Sequence, residues 1–534
     1  MKSRTKWHWN PVLGAYEKGD PPPLQGTGEI SAIDAFSNKT MLLLGGTGFV
    51  GKVFLAMVLT RFPELKHLIV QVRRKKNVSG EQRFYDEVLQ SPPLRSILDQ
   101  VGGEKVVRRK VQVVEGDLDR PLCGISEEQL AQLQGKIDIV VNLAGVVDFD
   151  PPVNESFDTN VYGVKHLIDL VKLLGARLVH VSTAYVAGKK NGHIPENASI
   201  AGYFPRRGES ENEHFSVEEE LKWYEQFLHE VRETRHQNPR PVRERLREGG
   251  SQRADYWGWT NTYTYTKSIG EQLIADTPNL PFAIVRPAIV ESSMRFPFAG
   301  WNEGLTTSAP LVLMGGDGVK AWPVRRDSPL EIIPVDLVAA GILIVTAAVL
   351  CGKHKPVYHL ASADQNPIML QRLVAFLGMN SRYKHKHKTT GNRLANIWKA
   401  YVETQVVSVE SLQTKRARLH RGLDVIHGVL TLGKTLFGPK KVDPYLKSLR
   451  VTRRQIRTQE ITLDKFLPFM VHNSFIFETG NIREAARRLT NEDLQRLRWD
   501  PEAIDWADYW VNIHTKGIEK WIRPMFARDK TGTA

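Results

Sequence analysis

The stretch Met41–Arg61, MLLLGGTGFVGKVFLAMVLTR, constrains the fold more than any other part of this 534-residue chain. A short apolar run, reading as a buried strand, meets glycines at 45, 46, 48 and 51 and then an apolar segment of helical length. Such a turn lets a strand reverse sharply into a helix while its backbone comes close to a ligand. The first helical turn then offers unpaired N–H groups and a partial positive charge to an anion. Gly45 and Gly48 permit the turn and the close approach, and Gly51 permits packing of the helix against the sheet. Gly45, Thr47, Gly48, Phe49, Val50 and Gly51 are therefore candidate binders of a dinucleotide pyrophosphate, with an ordinary glycine turn as the plainer alternative. HLIVQV at 67–72 completes a βαβ unit.

Further apolar runs, VQVVEGD, IDIVVNLAG, RLVHVST and FAIVRPAIV, alternate with helix-compatible stretches. This predicts an α/β fold, a Rossmann-type doubly wound parallel sheet covered on both faces and ending near Leu360. The apolar run Leu337–Leu350 is 14 residues long, short of the roughly 18 to 20 that a membrane span needs, and reads as a core helix. Residues 1–40, with Pro21–Pro23, show no sustained period and read as an extended leader without a signal-peptide core. The two cysteines, Cys123 and Cys351, lie far apart and outside any C-x-x-C pair. A disulfide scaffold and a zinc ribbon are thus both disfavoured, no metal site is expected, and a reducing cytoplasmic setting fits. The dinucleotide-binding sheet domain is expected over 41–366. Its insertion, 189–255, contains SVEEELKWYEQFLHEVRETR and is placed to cover a substrate entrance. From 367 to 534, strand-like runs give way to basic, helix-compatible sequence, which predicts a mostly helical carboxy-terminal domain.

After the second strand come Arg73, Arg74, Lys75 and Lys76, where an NAD enzyme would carry a carboxylate for the ribose 2′-hydroxyl. A guanidinium can instead clamp a 2′-phosphate through charge-assisted, bidentate hydrogen bonds, so Arg73 and Arg74 point to NADP rather than to a merely solvated charge run. Asp117, with Leu118 beside it, follows the strand VQVVEG and is either an acceptor for the adenine amino group or a turn former.

Tyr263 and Lys267 stand at i and i+4, which on a helix share one face. A phenol with a pKa near 10 is a poor acid or base at neutral pH, but a neighbouring ammonium lowers that value. The pair alone is common. It gains meaning from RLVHVSTAYVAG, which presents Ser182 and Thr183 at the strand end where ligands bind in open α/β sheets. Thr183 and Tyr263 would stabilise charge developing on a carbonyl oxygen during hydride transfer, and Lys267 would also hold the nicotinamide ribose.

With the glycine fingerprint, NLAG at Asn142, STAY at Ser182 and Y-x-x-x-K at Tyr263, the chain resembles the extended short-chain dehydrogenase/reductases. It departs at Leu44, where that family commonly carries Thr; this affects a local hydrogen bond and leaves the glycines intact. More narrowly it resembles the alcohol-forming fatty acyl-CoA reductases of the plant and bacterial kind. The resemblance includes the insertion before YWGWTNTYTYTKSIGE, the segment RPAIVESSMRFPFAGWNEG, and the tail from FMVHNSFIFETG to KWI. It implies Thr183, Tyr263 and Lys267 as catalytic residues, and Asn142, Ala144 and Pro287 among the cofactor contacts. Arg286-Pro287 and Pro297–Trp301 would shape the nicotinamide and acyl site, the latter segment being equally readable as a structural loop. It also implies NADPH as cofactor and a fatty acyl-CoA or acyl carrier protein thioester as substrate. Hydride reaches the thioester carbonyl, the thiohemiacetal loses thiol, and the aldehyde is reduced to a primary alcohol, using two NADPH.

The formal net charge is +14, and residues 381–460 alone hold 18 basic and 5 acidic side chains. That segment offers cationic sites for CoA phosphates, an acidic carrier protein or an anionic membrane surface. Ile397, Trp398, Tyr401, Leu436 and Phe437 interleave with the charges and are expected on the core side of amphipathic helices. Nucleic acid is not expected as a partner, since no reading motif accompanies the basic residues. The competing readings are a related reductase acting on another carbonyl (aldehyde-only thioester reduction, a hydroxysteroid or a nucleotide sugar) and an idle NADP-binding scaffold that docks to membranes. The sequence sets no oligomeric state.

Overall fold

The computed structural model describes residues 7–10, 15–18, 24–209, 213–234, 240–304, 307–386 and 393–529. Its contacts divide into two compact units, one of residues 1–307, 331–367 and 475–534 and the other of residues 308–330 and 368–474.

The first unit is built on β1 (Thr40–Leu44), β2 (His67–Val72), β3 (Val111–Glu115), β4 (Ile139–Asn142), β5 (Arg177–Val181), β6 (Phe282–Pro287) and β7 (Val357–Leu360). They form one sheet in the order β3-β2-β1-β4-β5-β6-β7, and every neighbouring pair is parallel. β1 and β4 are buried along their whole length, as expected for continuous apolar strands covered on both faces. Chain order reverses between β1 and β4, which opens a crevice at their carboxyl ends.

The longer helices of this unit are α1 (Phe49–Arg61), α2 (Gly163–Leu174), α3 (Val217–Glu233), α4 (Val242–Trp257), α5 (Thr262–Ala275) and α6 (Val335–Leu350). Leu167 and Val171 of α2 and Ile274 of α5 share a core with Leu42, Leu44, Val140 and Ile284 of the strands. α6 packs on α1. Apolar on every side, α6 is buried from Val335 to Val349, the signature of a helix enclosed by the protein. No helix among the described residues is long and apolar enough to cross a membrane.

Within the insertion, the Ser216 hydroxyl caps α3, whose first turn carries Glu218, Glu219 and Glu220, a favourable placement against the helix dipole. Glu220 is buried and accepts from Arg253 Nε (2.9 Å), Trp257 Nε1 (3.0 Å) and the Tyr265 hydroxyl. Phe157, Phe215, Tyr224, Trp257, Trp259 and Tyr265 complete a core that fastens the insertion to α5. The amino-terminal leader is not extended throughout. Residues 7–10 and 15–18 pair as antiparallel strands, and Ala32–Phe36 is a helix capped by Ser31.

The second unit contains the helices α7 (Leu370–Lys386), α8 (Arg393–Tyr401), α9 (Val409–Phe437) and α10 (Pro439–Leu467), together with a short helix, Ala309–Gly316. Gly438, at φ +84°, connects α9 to α10 as an antiparallel hairpin. Its seam holds Leu412, Leu423, Val442, Leu446, Leu449 and Leu463. Residues 475–534, expected within the carboxy-terminal helical domain, belong to the first unit, and the strand Ser474–Phe477 pairs with Asn191–Ile194. The expectation of buried aromatics in the basic segment is overturned: Ile397, Trp398, Tyr401 and Leu436 are exposed. Leu436 lies on the α9–α10 hairpin, where two helices can bury only one stripe of each and apolar residues outside the seam stay in solvent, whereas Ile397, Trp398 and Tyr401 lie on the exposed face of α8. The side chain of Phe437 lies outside the described residues.

Candidate active site

The turn between β1 and α1 is shaped as its glycines require. Gly45 has φ +80°, and a Cβ there would lie 2.4 Å from the Ala144 backbone nitrogen. At Gly51 a Cβ would strike the Gly45 carbonyl oxygen at 2.2 Å, so that glycine allows the helix to close onto the turn itself rather than onto the sheet. Gly48 caps α1 and is exposed, with only the Gly45 oxygen near its missing Cβ. Phe49, Val50 and Gly51 form the first turn of α1, whose N–H groups have no partner within the helix. A cleft of about 270 Å³ starts at Gly45, Thr47 and Gly48 and runs along Ala144–Val146 from the end of β4. This cradle fits a dinucleotide pyrophosphate.

Arg73, Asp117 and Leu118 line the same cleft. The Arg73 guanidinium is mostly exposed and lies 3.8 Å from the Asp117 carboxylate. Arg74 does not line the cleft; its Nε donates to Glu115 at 2.7 Å, and Glu115 is also held by the Gly80 N–H. The basic pair thus divides between cleft and scaffold. Asn142 is fully buried beneath the cleft, where it accepts from the Ala144 N–H (3.0 Å) and faces His180 Nδ1 (3.1 Å). It positions the cleft wall without reaching into it.

Thr183, Tyr263 and Lys267 come together where β5 meets α5. Thr183 begins the turn after β5, accepts from the Tyr185 N–H and is hydrogen-bonded to the Tyr263 hydroxyl. Asn261 caps α5 through the Thr264 N–H at 2.9 Å, which puts Tyr263 in the first turn of the helix and Lys267 in the second. Lys267 Nζ donates to the Val181 carbonyl at 2.8 Å and lies 3.2 Å from His180 Nε2. It also sits 3.7 Å from where a Cβ of Gly145 would be, against the wall of the glycine cleft. The neighbouring Ser182 hydroxyl is buried and has no hydrogen-bond partner among the described residues.

Electrostatics in this cluster differ from the sequence expectation. Burial is the largest influence on Tyr263 and pushes its phenol up to about 12; the Thr183 hydrogen bond works downward and Glu271 upward. Lys267 does not acidify it, because its amine is bonded to the Val181 carbonyl and lies against His180 rather than against the phenol. Burial in turn brings Lys267 down to about 8, opposed by Glu271. Tyr263 is accordingly a neutral proton donor at physiological pH, the form needed to stabilise an oxyanion.

Three supporting residues, His180, Asn160 and Glu271, escaped the sequence reading. Burial and Lys267 hold His180 well below the usual histidine range, so its ring is neutral. Since Asn142 Oδ1 is taken by the Ala144 N–H, its amide nitrogen donates to His180 Nδ1, and the ring hydrogen is assigned to Nε2, facing Lys267. Asn160 ties Val146 of the cleft to Thr266 on α5. Glu271, one turn beyond Lys267, forms a buried bidentate pair with Arg286 at 2.5–3.1 Å. Only the H in RLVHVST and the E one turn after Y-x-x-x-K hinted at these contacts in the sequence.

Arg286 is therefore occupied by Glu271, and Pro287 ends β6. The Pro297–Trp301 segment packs against the carboxy-terminal residues. Trp301 and Phe298 contact Trp521, Tyr509 donates to the Ser292 carbonyl at 2.6 Å, and Asp336 accepts the N–H groups of Met294, Arg295 and Phe296 at 2.8–3.1 Å. These contacts fit the structural-loop alternative for the segment. Lys52 on α1 pairs with Glu303 at 2.6 Å, joining the loop to the glycine turn's helix.

Residues 43–342 match the family model described as "Male sterility protein". The chain is 30% identical over 508 residues to "Probable fatty acyl-CoA reductase 5" of Arabidopsis thaliana, covering 92% of this chain and 98% of the relative. It is 28% identical over 503 residues to "Alcohol-forming fatty acyl-CoA reductase" of Simmondsia chinensis, covering 91% and 98%. Among solved structures, it resembles the terminal R domain of the myxalamid PKS-NRPS pathway with a TM-score of 0.53 and 17% identity, over 92% of this chain and 91% of that one. At that identity the likeness concerns the fold.

Proposed function

Because this chain belongs to the male sterility protein family of fatty acyl-CoA reductases, we propose that it reduces a long-chain fatty acyl thioester to a primary alcohol with NADPH. The observation that carries this reading is the Thr183–Tyr263 hydroxyl pair, set with Lys267 against the Ala144–Val146 wall of a glycine cleft. The first-turn N–H groups of α1 would hold the pyrophosphate, and Arg73 the 2′-phosphate, with Asp117 on the adenine side. The bound dinucleotide supplies hydride at the nicotinamide ring.

Thr183 and Tyr263 then donate hydrogen bonds to the thioester oxygen, which gains negative charge as its carbon is reduced. The thiohemiacetal collapses to aldehyde with release of thiol, and the same two hydroxyls receive the aldehyde oxygen. Tyr263 gives up its proton to the resulting alkoxide. Lys267, buried beside the cleft and bonded to Val181, holds the ribose and helps reprotonate Tyr263. Fatty acyl-CoA is the proposed substrate and an acyl carrier protein thioester its near equivalent.

The test is consumption of NADPH with palmitoyl-CoA, with products identified by gas chromatography. The proposal expects two NADPH oxidised per hexadecanol. A ratio of one with accumulated aldehyde would remove the second reduction, and absence of thioester-dependent oxidation would remove the activity.

A further inference from the structure

The α9–α10 hairpin carries an apolar stripe that its own seam does not use. Val425, Val429, Leu432 and Leu436 recur at spacings of four, three and four, and are 66, 62, 68 and 77% exposed. They form one line down α9 that reaches almost to the Gly438 turn, over about 16 Å. Ile426 widens it and is also exposed. From Val425 to Val442 there is no acidic residue, while Lys434, Lys440 and Lys441 lie in the same stretch.

Four of the hairpin's five acids are paired within it. Asp424 pairs with Arg453 at 2.8 Å, Asp443 with Lys434 at 2.7 Å, Asp464 with Arg416 at 2.8 Å, and Glu460 with His420 at 3.0 Å. Residues 409–467 contain 13 basic and 5 acidic side chains, so the surplus is positive. Arg418, Arg421, Lys440, Lys441, Lys447 and Arg450 are among that surplus and have no ion pair among the described residues.

We propose that the turn end of this hairpin docks on an anionic lipid bilayer, with the Val425–Leu436 stripe entering the headgroup boundary and the unpaired lysines and arginines meeting the lipid phosphates. An apolar helix face bordered by cations is what such a surface retains. A second copy of the chain is the poorer occupant, because it would bring the same positive charges to the contact. The inference stands on the hairpin alone and does not depend on the reductase chemistry.

The full-length protein is floated with phosphatidylcholine vesicles and with vesicles in which about a third of the lipid is phosphatidylglycerol. At low salt the anionic vesicles should bind at least about tenfold more tightly, with binding weakening as salt screens the charges. Two variants, Val429→Ser/Leu432→Ser/Leu436→Ser and Lys440→Glu/Lys441→Glu, should each lose at least about tenfold in vesicle affinity. Both should keep their circular dichroism spectrum and soluble NADPH oxidation. The charge-reversal pair leaves the apolar residues untouched, so it tests the idea even if the serine variant fails to fold. Absence of binding to the anionic vesicles, or unchanged binding of a folded variant, overturns the proposal. So does a wild-type dimer that the serine substitutions dissolve, or capture of an acidic carrier protein without vesicle binding.

Discussion

Lys267 Nζ stands 3.2 Å from His180 Nε2, inside a run of hydrogen bonds from Ala144 through Asn142 that leaves the ring hydrogen pointing at the amine. A neutral amine accepts that hydrogen, whereas an ammonium opposes it. The arrangement adds to the burial that already brings Lys267 down to about 8.

The pH profile should report this lysine. Its charged form is present below its pKa and lost above it, so turnover that uses the ammonium should fall as pH rises through about 8. Tyr263, at about 12, stays protonated over that range and does not set the limb. Lys267→Arg, always charged, should abolish the limb. His180→Gln, which offers an amide oxygen, should move it upward by about one unit. An unchanged limb in both variants would assign it to another group.

Tyr263→Phe removes the proton donor while leaving the ring that faces Phe149. Turnover should drop by about 10² to 10⁴ with NADPH affinity within about twofold of wild type. Near-normal turnover would take Tyr263 out of the chemistry.

The two neighbouring arginines should behave differently. Arg73→Ala is expected to weaken NADPH binding by about ten- to a hundredfold and leave NADH binding nearly unaltered, since a 2′-phosphate loses a charge-assisted partner. Arg74→Ala removes an exposed pair with Glu115 and should change NADPH affinity by less than about threefold. Equilibrium fluorescence titration with both dinucleotides separates these outcomes. Equal losses for NADH and NADPH in Arg73→Ala would mean that it does not read the phosphate.

Gly45→Ala combines a left-handed backbone with a Cβ placed 2.4 Å from the Ala144 nitrogen. The conformational cost alone is about 1–2 kcal/mol, and the clash must add to it. Thermal unfolding should shift down by several degrees and NADPH binding should be lost together with the turn. A melting curve matching wild type would show that the turn relaxes freely.

What the sequence made legible was local. The glycine turn, six of the seven strands and the apolar run 337–350 of the enclosed helix are written in neighbouring residues, because strand burial and turn geometry are decided over a few positions. The i, i+4 placement of Tyr263 and Lys267 was readable for the same reason. The partners of those side chains were not: His180, Asn160 and Glu271 meet the cluster only when β5, α5 and the segment after β4 converge. Arg74 read like Arg73, yet Glu115 on the adjacent strand claims it. The effect of Lys267 on Tyr263 was misread because burial, a tertiary property, outweighs a charge that points elsewhere. Residues 475–534 read as part of the helical domain. Their contacts with Ser292–Trp301, more than 170 residues away, place them beside the sheet instead.

The central claim, two hydride deliveries to one thioester carbon, is tested most directly with NADPH deuterated at the transferred C4 position. Incubation with palmitoyl-CoA and mass spectrometry of the alcohol should show two deuterium atoms at C1, and the Tyr263→Phe protein should yield almost none of this product. Alcohol without deuterium at C1, or labelled aldehyde as the sole product, would contradict the account.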